Sequence, residues 1–190
     1  MIFEKQNLYY ALLVSAFFLS HQLMAQEDVL KLLPGSKKAN YYEENDLLKL
    51  EGDVNFEYHQ NTMFCDSAYY FENKQLIRAY GNVHIIKEQI NIFCDSAFFD
   101  GKANKSKLWG RVKMRDGDYK LTTDSIEYDS SSGRATYKNY GVIQKSNSKE
   151  RITSKTGYFY PDTKNYHFQD SVKYTNESLT MTTDTLKFDY

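Results

Sequence analysis

Apolar and polar residues alternate along most of the chain after residue 36, in short runs that end at turn-forming residues. Residues 54–58 and 83–85 carry an apolar side chain at every second position, and polar or Gly-containing clusters such as 72–74 and 100–102 separate such runs. Period-2 alternation bounded by turn clusters is the signal of β-strands with one buried face. The pattern therefore predicts an all-β chain of antiparallel strands.

Two short motifs recur with a period of about 29 residues. Cys65-Asp66-Ser67 returns at residues 94–96 and, as Thr-Asp-Ser, at 123–125, with weaker copies at 154–156 and 183–185. A Gly-x-Val motif runs at the same period through residues 52–54, 81–83, 110–112, 141–143 and 170–172, and its Val or Ile lies twelve residues before the Asp column. A half copy occupies residues 37–41. Each repeat is expected to form two strands, and the two extra residues of the fourth step are expected in the turn at 129–133.

The second strand of each repeat changes phase at the Asp-Ser motif. Met63 and Cys65 share one face, and so do Ala68 and Tyr70, although Ala68 lies three positions after Cys65, an odd offset that breaks strict alternation. One extra residue at Asp-Ser would restore the register, as a β-bulge does, and would bend the strand there. Repeated in every copy, the bend predicts a sheet folded along a line into a trough with the apolar columns inside. The carboxylates at the corner are expected to accept hydrogen bonds from nearby backbone N–H groups rather than to bind a ligand. They are Asp66, Asp95, Asp124 and Asp184.

The apolar columns define the predicted lining of the trough. They comprise Val54, Phe56, Met63, Ala68, Tyr70, Val83, Ile85, Ile92, Ala97, Phe99, Val112, Met114, Leu121, Ile126, Tyr128, Ile143, Ile152, Phe159, Val172, Tyr174, Met181, Leu186 and Phe188. Lys145 stands in an apolar column, Gly157 and Lys155 depart from the motif of the fourth repeat, and Asp170 replaces Gly. We therefore expect the fourth repeat either to be irregular or to mark a partly polar stretch of the groove.

The first 25 residues have the organisation of a secretory signal peptide. A polar start with Lys5 precedes an apolar run at residues 8–19, and Ala25 is the expected cleavage site. An uncleaved N-terminal anchor is the alternative, and either way the rest of the chain is exported. Residues 26–36 form a lead-in segment, in which 29–33 could pair as an edge strand. Residues 37–190 form the repeat domain, and because the chain stops directly after the last aromatic column, we expect it to continue in a longer protein.

Composition and charge exclude several functions. The chain has 24 Lys and Arg against 25 Asp and Glu, which gives no electrostatic reason to expect nucleic acid as a partner. Its histidines share no column, and it has no phosphate loop or nucleophile elbow, so we expect neither an enzyme nor a bound metal or cofactor. Cys65 and Cys94 would lie two strands apart, roughly 9.6 Å, and are expected to be free thiols.

Three architectures remain for an exported β-repeat. An outer-membrane barrel would expose charged residues such as Lys113 and Arg115 to lipid, at a cost of about 2–4 kcal/mol each near the midplane. An extracellular parallel β-helix commonly carries Asn or Gly ladders, which are missing here. A trough that holds a lipid, or the same columns packed as a closed core, fits the pattern.

The repeated Gly-x-Val and Cys/Thr-Asp-Ser-Ala/Ile-x-aromatic columns resemble the OstA-like domain over about residues 37–190. That domain is shared by the lipopolysaccharide-transport proteins LptA and LptC and by the N-terminal part of LptD, and the Asp-Ser-Ala form is similar to OstA-like proteins of Bacteroidetes-type bacteria. The resemblance implies an open β-jelly-roll (β-taco) trough in the periplasm, stacked end to end through edge strands with other proteins of this fold and associated with the outer membrane. It implies lipopolysaccharide as the partner, with acyl chains in the groove. The alternative is a closed-core structural or adhesion module of the cell envelope.

Overall fold

Antiparallel strands follow one another along nearly all of the chain that the structure describes, which comprises residues 31–58, 61–160, 163 and 165–189 of a computed structural model. The predicted signal peptide and residues 26–30 of the lead-in lie outside the described residues. The strands are β1 Lys31–Leu32, β2 Lys38–Tyr42, β3 Leu47–Tyr58, β4 Asn61–Phe71, β5 Leu76–Lys87, β6 Ile90–Asp100, β7 Lys105–Asp116, β8 Tyr119–Asp129, β9 Arg134–Tyr137, β10 Gly141–Lys145, β11 Arg151–Ser154, β12 Thr156–Tyr160, β13 Asn165–Thr175 and β14 Thr180–Asp189. In these residues, no helix is long and apolar enough to span a membrane.

The strands form one sheet that is folded along a line into two walls. In the first wall, β1 pairs with the C-terminal half of β3, and the pairing continues through β4–β8, β10 and β11 to the C-terminal half of β13. In the second wall, β2 pairs with the N-terminal half of β3, and the pairing continues to β9, β12 and the N-terminal half of β13. The long strands β3–β8, β13 and β14 belong to both walls. The predicted all-β fold with a bend in each repeat is confirmed.

The corner between the walls is a β-bulge that recurs in successive strands. Between Leu50 and Val54 strand β3 uses four steps, whereas its partner β4 uses three steps between Cys65 and Ala68. The extra residue therefore lies in the Gly-x strand and not at Asp-Ser, where we expected it. The two bulge residues are left-handed in β3, β5, β7 and β13, for example Gly110 with φ 79° and Arg111 with φ 50°.

The fourth repeat is irregular, as predicted, but its extra residues lie elsewhere than expected. The turn at 130–133 has the same length as those at 72–75 and 101–104, while the turn between β10 and β11 is longer than the two-residue turns at 88–89 and 117–118. The left-handed corner residue is Tyr140, with φ 69°, and Gly141 occupies the column of Val112, because both pair with Thr123. The insertion is thus in residues 146–150, and Gly141 is not a corner glycine.

The two ends of the sheet carry edge strands. At the N-terminal end, β1 confirms the expected edge strand in part, at Lys31–Leu32, and β2 is the predicted half copy. At the other end, β14 pairs only with β13 among the described residues. The walls between these ends enclose one continuous hydrophobic cluster.

Candidate functional site

The predicted lining residues lie on the inner faces of the two walls. Those with an exposed fraction of 7% or less are Val54, Phe56, Met63, Ala68, Val83, Ile85, Ala97, Val112, Met114, Leu121, Ile126, Ile143, Ile152, Phe159 and Val172. The half-buried ones are Tyr70, Ile92, Phe99, Tyr128, Tyr174, Met181 and Leu186. The side chain of Phe188 lies outside the described residues.

One row of the lining was missed by the sequence reasoning. Buried residues precede each corner in the second wall: Leu50, Ile77, Ala79, Leu108, Tyr137, Tyr166 and Phe168. Apart from Tyr137 of the irregular fourth repeat, they lie two or four positions before the first bulge residue, so the signal was present as a further pair of apolar columns on the first strand of the repeats. These residues complete the second wall.

The interior between the walls is filled by side chains. The void lined by Met114, Leu121, Ile126, Tyr137 and Phe168, among others, holds only about 10 Å³, about the space of one water. Phe159 and Tyr166 stack with their ring centroids 4.4 Å apart. In this state each wall covers the apolar face of the other.

The mouth of the trough is the gap between the two walls at the strand ends farthest from the corner. A cation–π contact joins the two walls across this gap. Lys87 ends β5 in the first wall, and its Nζ lies 5.9 Å from the ring centroid of Tyr128, in the second-wall half of β8. Lys145 Nζ lies 5.5 Å from the Tyr119 ring and 3.8 Å from Glu150 Oε2. Tyr119, and then Glu150, raise the pKa of Lys145. Lys145 is therefore a rim residue whose charge has partners.

Two of the four corner carboxylates, Asp66 and Asp95, bond to side chains of the bulge. Among the described residues they do not form the bonds to backbone N–H groups that we had expected. Asp66 Oδ2 accepts a hydrogen bond of 3.0 Å from Asn82 Nδ2, and Asp95 forms an ion pair of 2.5 Å with Arg111. The hydrogen bond from Arg111 holds the pKa of Asp95 below its ordinary value. For Asp124 and Asp184, both exposed, the structure gives no such partner among the described residues.

A charge-reversed copy of this pair begins the corner line. Lys37 stands where later repeats have Asp, and its Nζ lies 2.7 Å from Asp53 Oδ2. Asp53 is the left-handed bulge residue of β3, with φ 50°. The corner thus carries a line of exposed polar pairs along the outside of the trough.

Tyr137 fills the interior where the fourth repeat loses side chains. A Cβ on Gly141 or on Gly157 would collide with the Tyr137 ring, so this ring occupies the room that both glycines leave. The Tyr137 hydroxyl and Ser154 Oγ are 2.6 Å apart and buried, and Ser154 Oγ also donates to Thr156 O at 2.9 Å. Burial raises the pKa of Tyr137 to about 12. The space taken by the Tyr137 ring explains why residue 157 is Gly, where other repeats have Ala, Ile or Leu.

Cys65 and Cys94 are free and buried, on β4 and β6 with β5 between them. Burial raises the pKa of each thiol to about 12. The predicted spacing of two strands is confirmed. Both thiols act as small apolar side chains next to the corner. Within the described residues, no group of three His, Cys, Asp or Glu side chains is placed to hold a metal ion.

Comparison with known proteins identifies the family of this repeat. Among solved structures, the chain is similar to LptH, the LptA homologous periplasmic component of the lipopolysaccharide transport device from Pseudomonas aeruginosa. The identity is 12%, the TM-score is 0.48, and the match covers 55% of this chain and 78% of LptH. No curated protein matches the sequence significantly. The family model described as OstA-like protein matches residues 26–184, which is most of the chain, and the chain therefore belongs to the OstA-like protein family.

Proposed function

We propose that this protein is a periplasmic bridge module that carries lipopolysaccharide towards the outer membrane with its acyl chains between the two walls. The observation that carries the proposal is the uninterrupted apolar lining of a sheet folded along one line, in a chain of the OstA-like family. The module needs no catalytic group for this role, because it covers apolar surface and transforms nothing. Export by the predicted signal peptide of residues 1–25 would fit this proposed periplasmic location.

The architecture suggests how acyl chains could enter a filled interior. The described strand pairs join neighbours within a wall, so between the walls the mouth is held by side-chain packing and by contacts such as Lys87 with Tyr128. Among the described residues, the walls are continuous with each other at the corner, where successive left-handed bulges bend the long strands. Parting the walls at the mouth would expose apolar surface to water. An acyl chain would cover it again, at about 0.8 kcal/mol per buried CH₂.

Edge strands suggest how modules could join. β14 pairs only with β13 among the described residues, and β1 and β2 end the two walls at the other end. Unpaired backbone N–H and C=O groups of an edge strand accept a further strand. We include end-to-end stacking with other OstA-like folds in the proposal.

Photocrosslinking in cells tests lipid binding. A photoreactive residue at the inner positions Phe56, Tyr70, Phe99 or Val112 is expected to label lipopolysaccharide, and the outward positions Lys113 and Glu57 are the matched controls. Lys113 is adjacent to Val112 and exposed, so it samples the same strand from the other face. Labelling from the outward positions alone would contradict the proposal.

A closed-core structural or adhesion module is the second candidate, and the small interior void favours it. It predicts that native mass spectrometry of the protein isolated from its envelope shows no bound lipid, and that whole cells expose the chain to added protease. The bridge module predicts a lipid adduct and protection in whole cells. The two measurements therefore separate the candidates.

A further inference from the structure

The outer side of the corner carries a polar cleft that lies apart from the trough interior. The cleft has a volume of about 670 Å³, within the range of small-ligand sites. It lies where β10, β11, β13 and β14 meet the corner of the fourth repeat. The residues that supply its chemistry are Tyr140, Thr153, Ser171, Lys173, Thr182 and Asp184.

The lining suits a neutral ligand rich in hydroxyl groups. Its side chains offer several hydroxyls that both donate and accept, together with one ammonium, of Lys173, and one carboxylate, of Asp184. The two opposite charges leave no net charge to attract an ion. Among the described residues, neither Lys173 nor Asp184 has an ion-pair partner in the structure, so both are available to a ligand. Val172, 1% exposed, gives the cleft an apolar floor.

Tyr140 provides an aromatic surface at the rim of the cleft. It is a large aromatic residue with 53% exposure, and it stands at the bulge position that holds Asn82 and Arg111 in earlier repeats. Its backbone is held in the left-handed conformation by the Tyr140 N–H, which donates to Lys155 O at 3.0 Å, and by Thr123 Oγ1, which donates to Tyr140 O at 2.7 Å. A tyrosine there is not required by the bulge, which Asn or Arg also forms. The ring is therefore free to serve recognition.

From these observations we infer that the Tyr140 cleft is a saccharide-binding site, in which a sugar ring packs its C–H face on Tyr140 and hydrogen-bonds to the hydroxyls, Lys173 and Asp184. The corner and the mouth lie at opposite edges of the two walls. A glycolipid with its acyl chains in the trough would extend its sugars out of the mouth, and would therefore not place them in this cleft. The site therefore takes a sugar chain other than that of a lipid seated in the same trough. It does not depend on lipid binding by the trough.

Nuclear magnetic resonance titration of the full chain tests the site with two probes, chitotetraose as a free glycan and deacylated lipopolysaccharide as the sugar part of a glycolipid. We expect saturable shifts of the backbone amides of Tyr140, Thr153 and Lys173 with a glycan probe. Tyr140→Asn should weaken binding about tenfold through loss of the ring contact, while Tyr140→Phe should retain it. Asn is the matched replacement because Asn82, at the equivalent corner position, also has a left-handed backbone, with φ 46°.

A second tyrosine provides the control. Tyr41 is 52% exposed on β2, at the other end of the sheet, and Tyr41→Asn should leave binding unchanged. Circular dichroism of each variant verifies that the sheet is retained. Chitotetraose binding alone supports a free glycan, and binding of deacylated lipopolysaccharide supports the same site with a lipid-derived sugar chain. Absence of shifts with both probes, or equal binding by Tyr140→Asn and the parent, overturns the inference.

Discussion

Replacing Gly110 with alanine should destabilise the corner more than the same change at another left-handed glycine. Gly110 has φ 79°, and a Cβ there would lie 2.7 Å from Asp95 Cβ and 2.5 Å from Asp95 Oδ2. The left-handed conformation costs a non-glycine residue about 1 kcal/mol, and the steric conflict adds about 1–3 kcal/mol. Because Asp95 Cβ is fixed to the backbone of β6, the contact cannot be relieved by rotating a side chain. We expect a loss of about 2–4 kcal/mol in the free energy of unfolding.

Gly117 is the matched control for this prediction. It lies in the turn after β7 with φ 53°, and a Cβ there would meet nothing within 4 Å. Gly117→Ala should therefore lose only about 1 kcal/mol, and the effect of alanine on the unfolded chain cancels between the two variants. Urea unfolding followed by far-ultraviolet circular dichroism measures both. Equal losses in the two variants would refute the steric account of the corner.

Three further predictions follow from the titratable and buried groups. Arg111 lowers the pKa of Asp95, so their ion pair stabilises the fold fully above the ordinary aspartate pKa of 3.8, and this stabilisation is lost as the pH falls through the lowered pKa. In urea unfolding, Arg111→Ala should be less stable than the parent at neutral pH and equal to it in strong acid. Burial raises the pKa of Cys65 and Cys94 to about 12, so in the folded protein both thiols should resist alkylation by iodoacetamide at pH about 8. They should react once urea unfolds the chain. Rapid labelling without denaturant would contradict their burial. Tyr137→Phe removes one hydrogen bond and should lower the free energy of unfolding by about 1 kcal/mol. Because folding raises the pKa of Tyr137 from 10.0 to about 12, the parent should lose stability between these pH values more steeply than the variant.

The strands and most of the lining could be predicted because burial of one sheet face imposes period-2 alternation. The residues next to the corner show this most clearly: Val54, Val83 and Val112 were assigned from the repeat, and each is at most 1% exposed. The phase change in the second strand was also correct. Its structural origin was not, because alternation reports a difference of one residue between paired strands and does not say which strand has the extra one.

The fourth repeat shows why a glycine alone did not locate the corner. Glycine meets two different needs in this chain, a left-handed backbone at Gly110 and room for a neighbouring ring at Gly141. In the sequence both glycines begin the same motif, with Val or Ile two residues later, so they look equivalent. The turn at 129–133, rich in Ser and Gly, also has the composition of an insertion site. Only the pairing of Gly141 with Thr123 and the left-handed Tyr140 place the insertion after β10. The side-chain partners of the corner carboxylates were equally hidden, since they lie 16 residues away in the chain.

Burial changes along the second wall in a way that predicts the order in which a lipid would contact the lining. Next to the corner, Ala68 and Ala97 are at most 1% exposed, whereas the following inward residues, Tyr70 and Phe99, are half-buried near the mouth. If the walls part at the mouth and stay joined at the corner, the half-buried residues are uncovered first and at the lower cost in rehydrated area. As the amount of bound lipid increases, photocrosslinkers at Tyr70 and Phe99 should therefore begin to label lipid before a photocrosslinker at Val112, which lies next to the corner. Labelling at Val112 before the mouth positions would show that lipid reaches the lining by another route, such as an open end of the sheet.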